Sequence, residues 1–172
     1  MICRRTFLVG GIAALGTATT ASAVPFDAGW TEQTFPRRRP NRWQLSGSAV
    51  GLESDAAVSL LVRPVPEPTW DLRGAAWRWS VSDSVPPTDL TRKGGDDRNL
   101  AVYFVFLART EAERLRTASI RRVLTNRAAR SLVYVWGGTA ARGAILPNPW
   151  LDGRGVTVVL RPAGTGAYGE PV

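Results

Sequence analysis

A chain of 172 residues, 44% of them hydrophobic, has the length and composition of one packed domain, which excludes general disorder. Its formal charge of +8 is carried almost wholly by arginine, with Lys93 the single lysine, and favours anionic surfaces without choosing among polysaccharide, phospholipid and nucleic acid. With no histidine and only Cys3, the sequence excludes imidazole bases, Ser-His-Asp and Cys-His triads, and zinc or haem sites built on those residues. Catalysis would fall to Asp, Glu, Tyr, Lys or Arg, and a metal would be a hard cation held by oxygen.

Residues 1–23 read as an export signal. Met1 to Arg5 is a basic start, Thr6 to Thr20 an apolar stretch diluted by Gly, Ala and Thr, and Ala21-Ser22-Ala23 a signal-peptidase pattern. Arg4-Arg5-Thr6-Phe7-Leu8 resembles the twin-arginine motif. The apolar run is shorter than the ~20 residues of a membrane span, so no stable span is expected after cleavage. A mature chain from Val24 would lack cysteine, and the expected location is periplasmic or secreted.

Residues 24–41 read as an irregular basic segment, broken by Pro25, Pro36 and Pro40 and carrying Arg37-Arg38-Arg39. The arginine run is a solvated loop or a docking point for an anionic envelope polymer. From Arg42 the period becomes two, which predicts strands over Trp43 to Leu45, Ala49 to Glu53 and from Val58 to Val62.

Ala75 to Leu107 holds two apolar runs around a long polar loop and predicts a core hairpin. Trp77, Trp79 and Val81 share one face of its first strand and are expected in the core. The return strand, with Val102, Phe104 and Phe106 against Tyr103, Val105 and Leu107, is apolar on both faces and is placed centrally. Thr110-Glu111-Ala112-Glu113 reads as a capping box opening one basic helix from Glu111 to about Asn126. Strands follow over Ser131 to Trp136 and Val156 to Arg161, with Ile145 to Trp150 an extended proline-locked loop. Gly164 to Val172 is rich in Gly and Pro. The pattern predicts an all-β fold with one helix, an antiparallel β-sandwich over residues 42–172.

Several of these marks occur together in one family. Trp77-Arg78-Trp79, Lys93-Gly94-Gly95-Asp96-Asp97, Val102 to Phe106, Tyr134-Val135-Trp136 and Pro147-Asn148-Pro149-Trp150 make the chain resemble DUF3047, a family of secreted bacterial domains of unknown function. The resemblance covers roughly Trp43 to Leu160 and implies an exported, jelly-roll-like β-sandwich, with no reaction and no catalytic residues attached. The chain departs from that family in carrying Ala101 where an arginine is usual. It also ends at Val172 where family members tend to continue, which leaves open whether the sandwich has its C-terminal strands.

Asp96 and Asp97 after two glycines form the most suggestive constellation. Adjacent carboxylates suit a calcium-type oxygen cage, and equally a turn or an ion pair with Arg78 or Arg98. Trp70, Tyr103, Tyr134, Trp136 and Trp150 are candidates for an aromatic platform that stacks sugar rings, with Trp136 and Trp150 beside loop signals. The expected function is a non-catalytic module binding cell-envelope or extracellular carbohydrate, through Asp96, Asp97, Trp136 and Trp150, with calcium as a candidate ion. One alternative is a polysaccharide-acting enzyme using Asp96 or Asp97 with Glu53, Asp55 or Asp152. Another is a structural or protein-binding envelope component. Nucleic acid is not an expected partner.

Overall fold

The computed structural model describes residues 23–71 and 73–172, together with the backbone of strand residues 9–13. In chain order the elements are β1 (Val9–Ala13), β2 (Thr31–Thr34), β3 (Arg42–Ser46), β4 (Ala49–Glu53), β5 (Ser59–Val62), β6 (Ala76–Val81), β7 (Leu100–Phe106), α1 (Arg109–Arg114), α2 (Ile120–Thr125), β8 (Arg130–Trp136), β9 (Ile145–Pro147), β10 (Gly155–Arg161) and β11 (Gly166–Pro171). A short 3-10 turn spans Glu67–Thr69. The fold is all-β, as the alternating patterns require. Its strands fall into two compact units, one of Met1–Asp83 with Thr165–Val172 and one of Ser84–Gly164.

The first unit holds a five-stranded sheet in the order β11-β6-β1-β4-β3 and a two-stranded β2-β5 sheet. On β6 the alternation places Trp77 and Trp79 in the core, 2% and 1% exposed, with their rings edge-to-face at 5.5 Å. Trp79 also donates from Nε1 to the buried carboxylate of Glu170 on β11, at 3.3 Å. The glycine- and proline-rich C-terminal segment therefore is a strand, paired with β6 from Gly166↔Val81 to Pro171↔Ala76. Ladder hydrogen bonds to β6 outweigh its poor intrinsic propensity, although Glu170 is the one buried residue of the strand. Residues 24–41 are likewise more ordered than their prolines suggest. Phe26 stacks on Trp30 at 5.3 Å, and β2 pairs with β5. Strand β1 lies within the expected export signal and pairs with both β4 and β6.

The second unit is a four-stranded sheet in the order β7-β8-β10-β9. Its pairings are antiparallel except β8 with β10, which run parallel in register from Gly155↔Ser131. On one face Val133, Val135 and Val159 join Leu90 and Leu151 in a buried cluster, with Tyr103 and Ala101 packed against it.

Two expectations about the central stretch are corrected. Its apolar runs are not a hairpin, because β6 pairs with β1 and β11 while β7 pairs with β8. Alternation identifies which face of a strand is buried, not which strand lies beside it. Strand β7 is also at the sheet edge rather than central. Apolar side chains on both faces report partial cover above and below, and Ala101 to Val105 are indeed half-buried. They carry no information about hydrogen bonding along the two edges.

The single expected helix is two short ones. Helix α1 begins at Ala108 without a side-chain cap, so Thr110 and Glu113 do not form the expected box. Ser119 instead caps α2, its Oγ accepting from Arg122 N at 3.4 Å. Glu111 ties the pair together. It accepts from Arg114 at 2.8 Å and 3.1 Å and from the Asn126 amide at 3.1 Å, and these bonds hold its carboxyl below the usual range. Arg154 donates to the C-terminal carbonyls of Leu124 and Asn126 at 2.8 and 2.9 Å.

Candidate functional site: an ordered loop closed by Trp150

The connection between β6 and β7 is folded rather than slack. At its base Asn99, 4% exposed, uses its whole amide. Its Oδ1 accepts from Val85 N at 2.8 Å, and its Nδ2 donates to Ser84 Oγ at 3.0 Å and to Gly164 O at 3.1 Å. Farther out, Thr139 N donates to Thr88 O at 3.0 Å and Thr88 Oγ1 donates to Asp97 O at 2.5 Å.

Gly137 and Gly138, just past β8, make this docking possible. A Cβ on Gly137 would lie 2.8 Å from Arg98 Cα, and one on Gly138 would lie 2.6 Å from Leu90 Cγ. Gly138 also has φ +78°, a conformation that glycine alone adopts freely. These glycines read in sequence as a strand terminator. Their larger role is to let the loop backbone and Leu90 approach the sheet.

The tip is built by two successive turns. Asp89 Oδ1 accepts from Thr91 N at 3.0 Å and Thr91 Oγ1 at 2.7 Å, bonds that lower its pKa with a smaller contribution from the Arg92 charge. Arg92 N then donates to Asp89 O at 3.2 Å and Gly95 N to Arg92 O at 3.0 Å. Thr88, Asp89, Arg92, Lys93, Gly94 and Gly95 line a shallow, open cleft of about 470 Å³.

Beside the cleft stands the residue that the sequence singles out best. Asp96 Oδ2 accepts from Trp150 Nε1 at 2.6 Å and from Arg98 Nη1 at 3.2 Å, while Oδ1 accepts from Gly94 N at 3.1 Å. Arg98 extends the chain by donating from Nη2 to Tyr103 Oη at 2.7 Å. Trp150 is 56% exposed, and Lys93 Nζ sits 5.3 Å from its ring centroid, within cation–π range. Asn148 supplies an Asx turn beneath the ring: its Oδ1 accepts from Trp150 N at 3.0 Å and fixes the indole's backbone.

Asp97 bonds elsewhere. Its Oδ1 accepts from Arg98 N at 3.0 Å, so the adjacent carboxylates point into different bonds. Among the described residues no group of three or more His, Cys, Asp or Glu is arranged to hold a metal ion.

The five-ring platform is not assembled. Trp136 is 1% exposed, so it presents no ring to solvent, and its carbonyl accepts from Asn99 N at 2.9 Å. Tyr134 meets Phe104 edge-on at 6.0 Å, and Tyr103 is half-buried and bonded to Arg98. Trp70 belongs to the first unit and donates to Val65 O at 2.8 Å. Glu53 and Asp55 are there too, paired with Arg42 at 3.5 Å and Arg39 at 3.7 Å. Trp150 alone of the five is strongly exposed. In sequence Asn99 and Arg92 carry no functional signal, and Lys93 stands out only as the single lysine and as part of the Lys93-Gly94-Gly95-Asp96-Asp97 mark.

Fold and site together define an all-β protein with an ordered loop bonded to an exposed tryptophan. The family model for DUF3047, a protein of unknown function, matches residues 28–170, and the chain belongs to that family. No curated protein and no solved structure matches the chain.

Proposed function

We propose that this protein is an exported, non-catalytic module that binds cell-envelope or extracellular carbohydrate through Trp150 and the loop beside it. The observation that carries the reading is the indole of Trp150, more than half exposed and already fixed by Asp96, Asn148 and Lys93. A rigid, exposed aromatic face suits stacking on the apolar face of a sugar ring. Because it is fixed before binding, little side-chain entropy is lost on contact. The bonding of Asp96 favours binding over catalysis. Both its oxygens are engaged by Gly94, Arg98 and Trp150, which suits a structural carboxylate better than an acid or base exchanging protons with substrate. Export is supported by Arg4-Arg5-Thr6-Phe7-Leu8 and Ala21-Ser22-Ala23.

A glycan array probed with the wild type and with Trp150→Ala tests the reading. Saturable binding to at least one glycan, lost in a variant with an unchanged circular dichroism spectrum, is expected. An array without binding, or binding indifferent to the substitution, overturns it.

A further inference from the structure

We infer that the ligand of this site is an acidic saccharide, one whose ring carries a carboxylate or sulfate, held by Arg92 and Lys93 while Trp150 contacts the sugar face. This deepens the carbohydrate reading and rests on it. Among the described residues around the cleft, most side-chain acceptors are engaged while two cationic donors are not. A site for neutral sugars presents free carboxylates and amides, because each hydroxyl both donates and accepts. Here the side-chain acceptors are largely consumed within the loop. Asp89 Oδ1 takes two donors from Thr91, and Asp96 takes three from Gly94, Arg98 and Trp150. The Thr88 hydroxyl is committed to Asp97 O. Asp89 Oδ2 is the carboxylate oxygen left at the rim.

The donors are in the opposite condition. Arg92 and Lys93 both line the cleft, and among the described residues neither lies within salt-bridge distance of a carboxylate. A guanidinium and an ammonium offer donors only. Two cations face one partly engaged carboxylate, so the uncompensated chemistry calls for an oxyanion. Lys93 also stands over the Trp150 ring, which places the charge and the stacking surface within one sugar unit's reach. The turns hold the backbone between Asp89 and Gly95, so that the two cations are presented from a fixed strip rather than a slack loop.

Calorimetric titration of the full chain with four probes tests this: a polygalacturonate oligomer, a heparin oligosaccharide, an uncharged cello-oligosaccharide and a single-stranded oligonucleotide. At least one acidic saccharide should bind about tenfold or more tighter than the uncharged one, and lose affinity between low and high salt. Preference for the uronate or for the sulfated probe identifies the oxyanion. Arg92→Gln and Lys93→Gln should each weaken acidic binding about tenfold, and Lys93→Arg should retain most of it. Replacing exposed Arg37, Arg38 and Arg39 by glutamine should change nothing. Equal binding of acidic and uncharged sugars, or indifference to both Gln variants, overturns this inference and leaves the carbohydrate reading standing. Absence of any saccharide binding removes both. Oligonucleotide binding as tight as saccharide binding, or an equal loss in the triple variant, overturns it as mere charge attraction.

Discussion

Trp150 Nε1 donates to Asp96 Oδ2 across 2.6 Å, joining a tryptophan in the β9–β10 connection to an aspartate 54 positions earlier. The same oxygen accepts from Arg98, so one carboxylate fixes both an exposed ring and the guanidinium that reaches Tyr103. Asp96→Asn keeps the shape but weakens both bonds by removing the charge. It should lower stability by about 1–2 kcal/mol and shift the Trp150 indole N–H resonance. An indole signal that stays in place would show that this bond does not hold the ring in solution.

Asn99 makes a sharper demand, because it both accepts and donates in a buried position. Asn99→Asp retains the acceptor for Val85 N yet sets an oxygen against Ser84 Oγ and Gly164 O. The loss should be about 2–4 kcal/mol in urea denaturation, close to that of Asn99→Ala. Near-neutral behaviour of the aspartate variant would mean that the loop base is solvated.

Gly138→Ala tests the close approach of loop and sheet. The added methyl meets Leu90 at 2.6 Å from a backbone with φ +78°, and a cost of about 2–3 kcal/mol is expected. Combining it with Leu90→Ala should recover only the steric part, since the positive φ persists. Full recovery in the double mutant would assign the whole cost to the clash.

The Glu111 carboxyl is held below its usual range by Arg114 and then Asn126. A group depressed in the folded state stabilises above its unfolded pKa and loses that contribution as pH falls through the folded one. The protection of α1 and α2 amides should therefore decline on acidification below the ordinary glutamate range. Glu111→Gln should lie below the wild type at neutral pH, with the gap closing in acid. A gap independent of pH would point to packing instead of charge.

The segment carrying β1 makes opposite demands on the export reading and on the sheet. If residues 1–23 are a cleaved signal, a polypeptide beginning at Val24 should melt cooperatively and remain monodisperse, with β4 and β6 satisfied without Val9–Ala13. Aggregation or loss of cooperativity on that truncation would make β1 a structural strand and remove the cleavage proposal.

Local patterns were legible wherever one face of a strand is buried. The Trp77, Trp79 and Val81 face and the β8 and β10 runs all follow from period-two burial. Asp96 and Trp150 were legible as exposed chemistry on loops, but their contact was not, since nothing in either segment names its partner. Trp136 shows the limit from the other side. Adjacency to Gly137-Gly138 suggested exposure, but the ring is 1% exposed, and those glycines admit the loop backbone and Leu90 instead.

The sequence by itself determined the all-β class, the burial face of the main strands, the family and the absence of histidine chemistry, because each follows from composition or short-range order. Only the tertiary structure decided which strands pair, that β7 is an edge, that the helix is broken at Ser119, and that Asp96 serves Trp150 and Arg98. The strand pairings and the Asp96–Trp150 bond depend on contacts between residues tens of positions apart, whereas the Ser119 cap and the Asp96–Arg98 pair are local. Chain periodicity specifies a surface to be buried and leaves open what buries it.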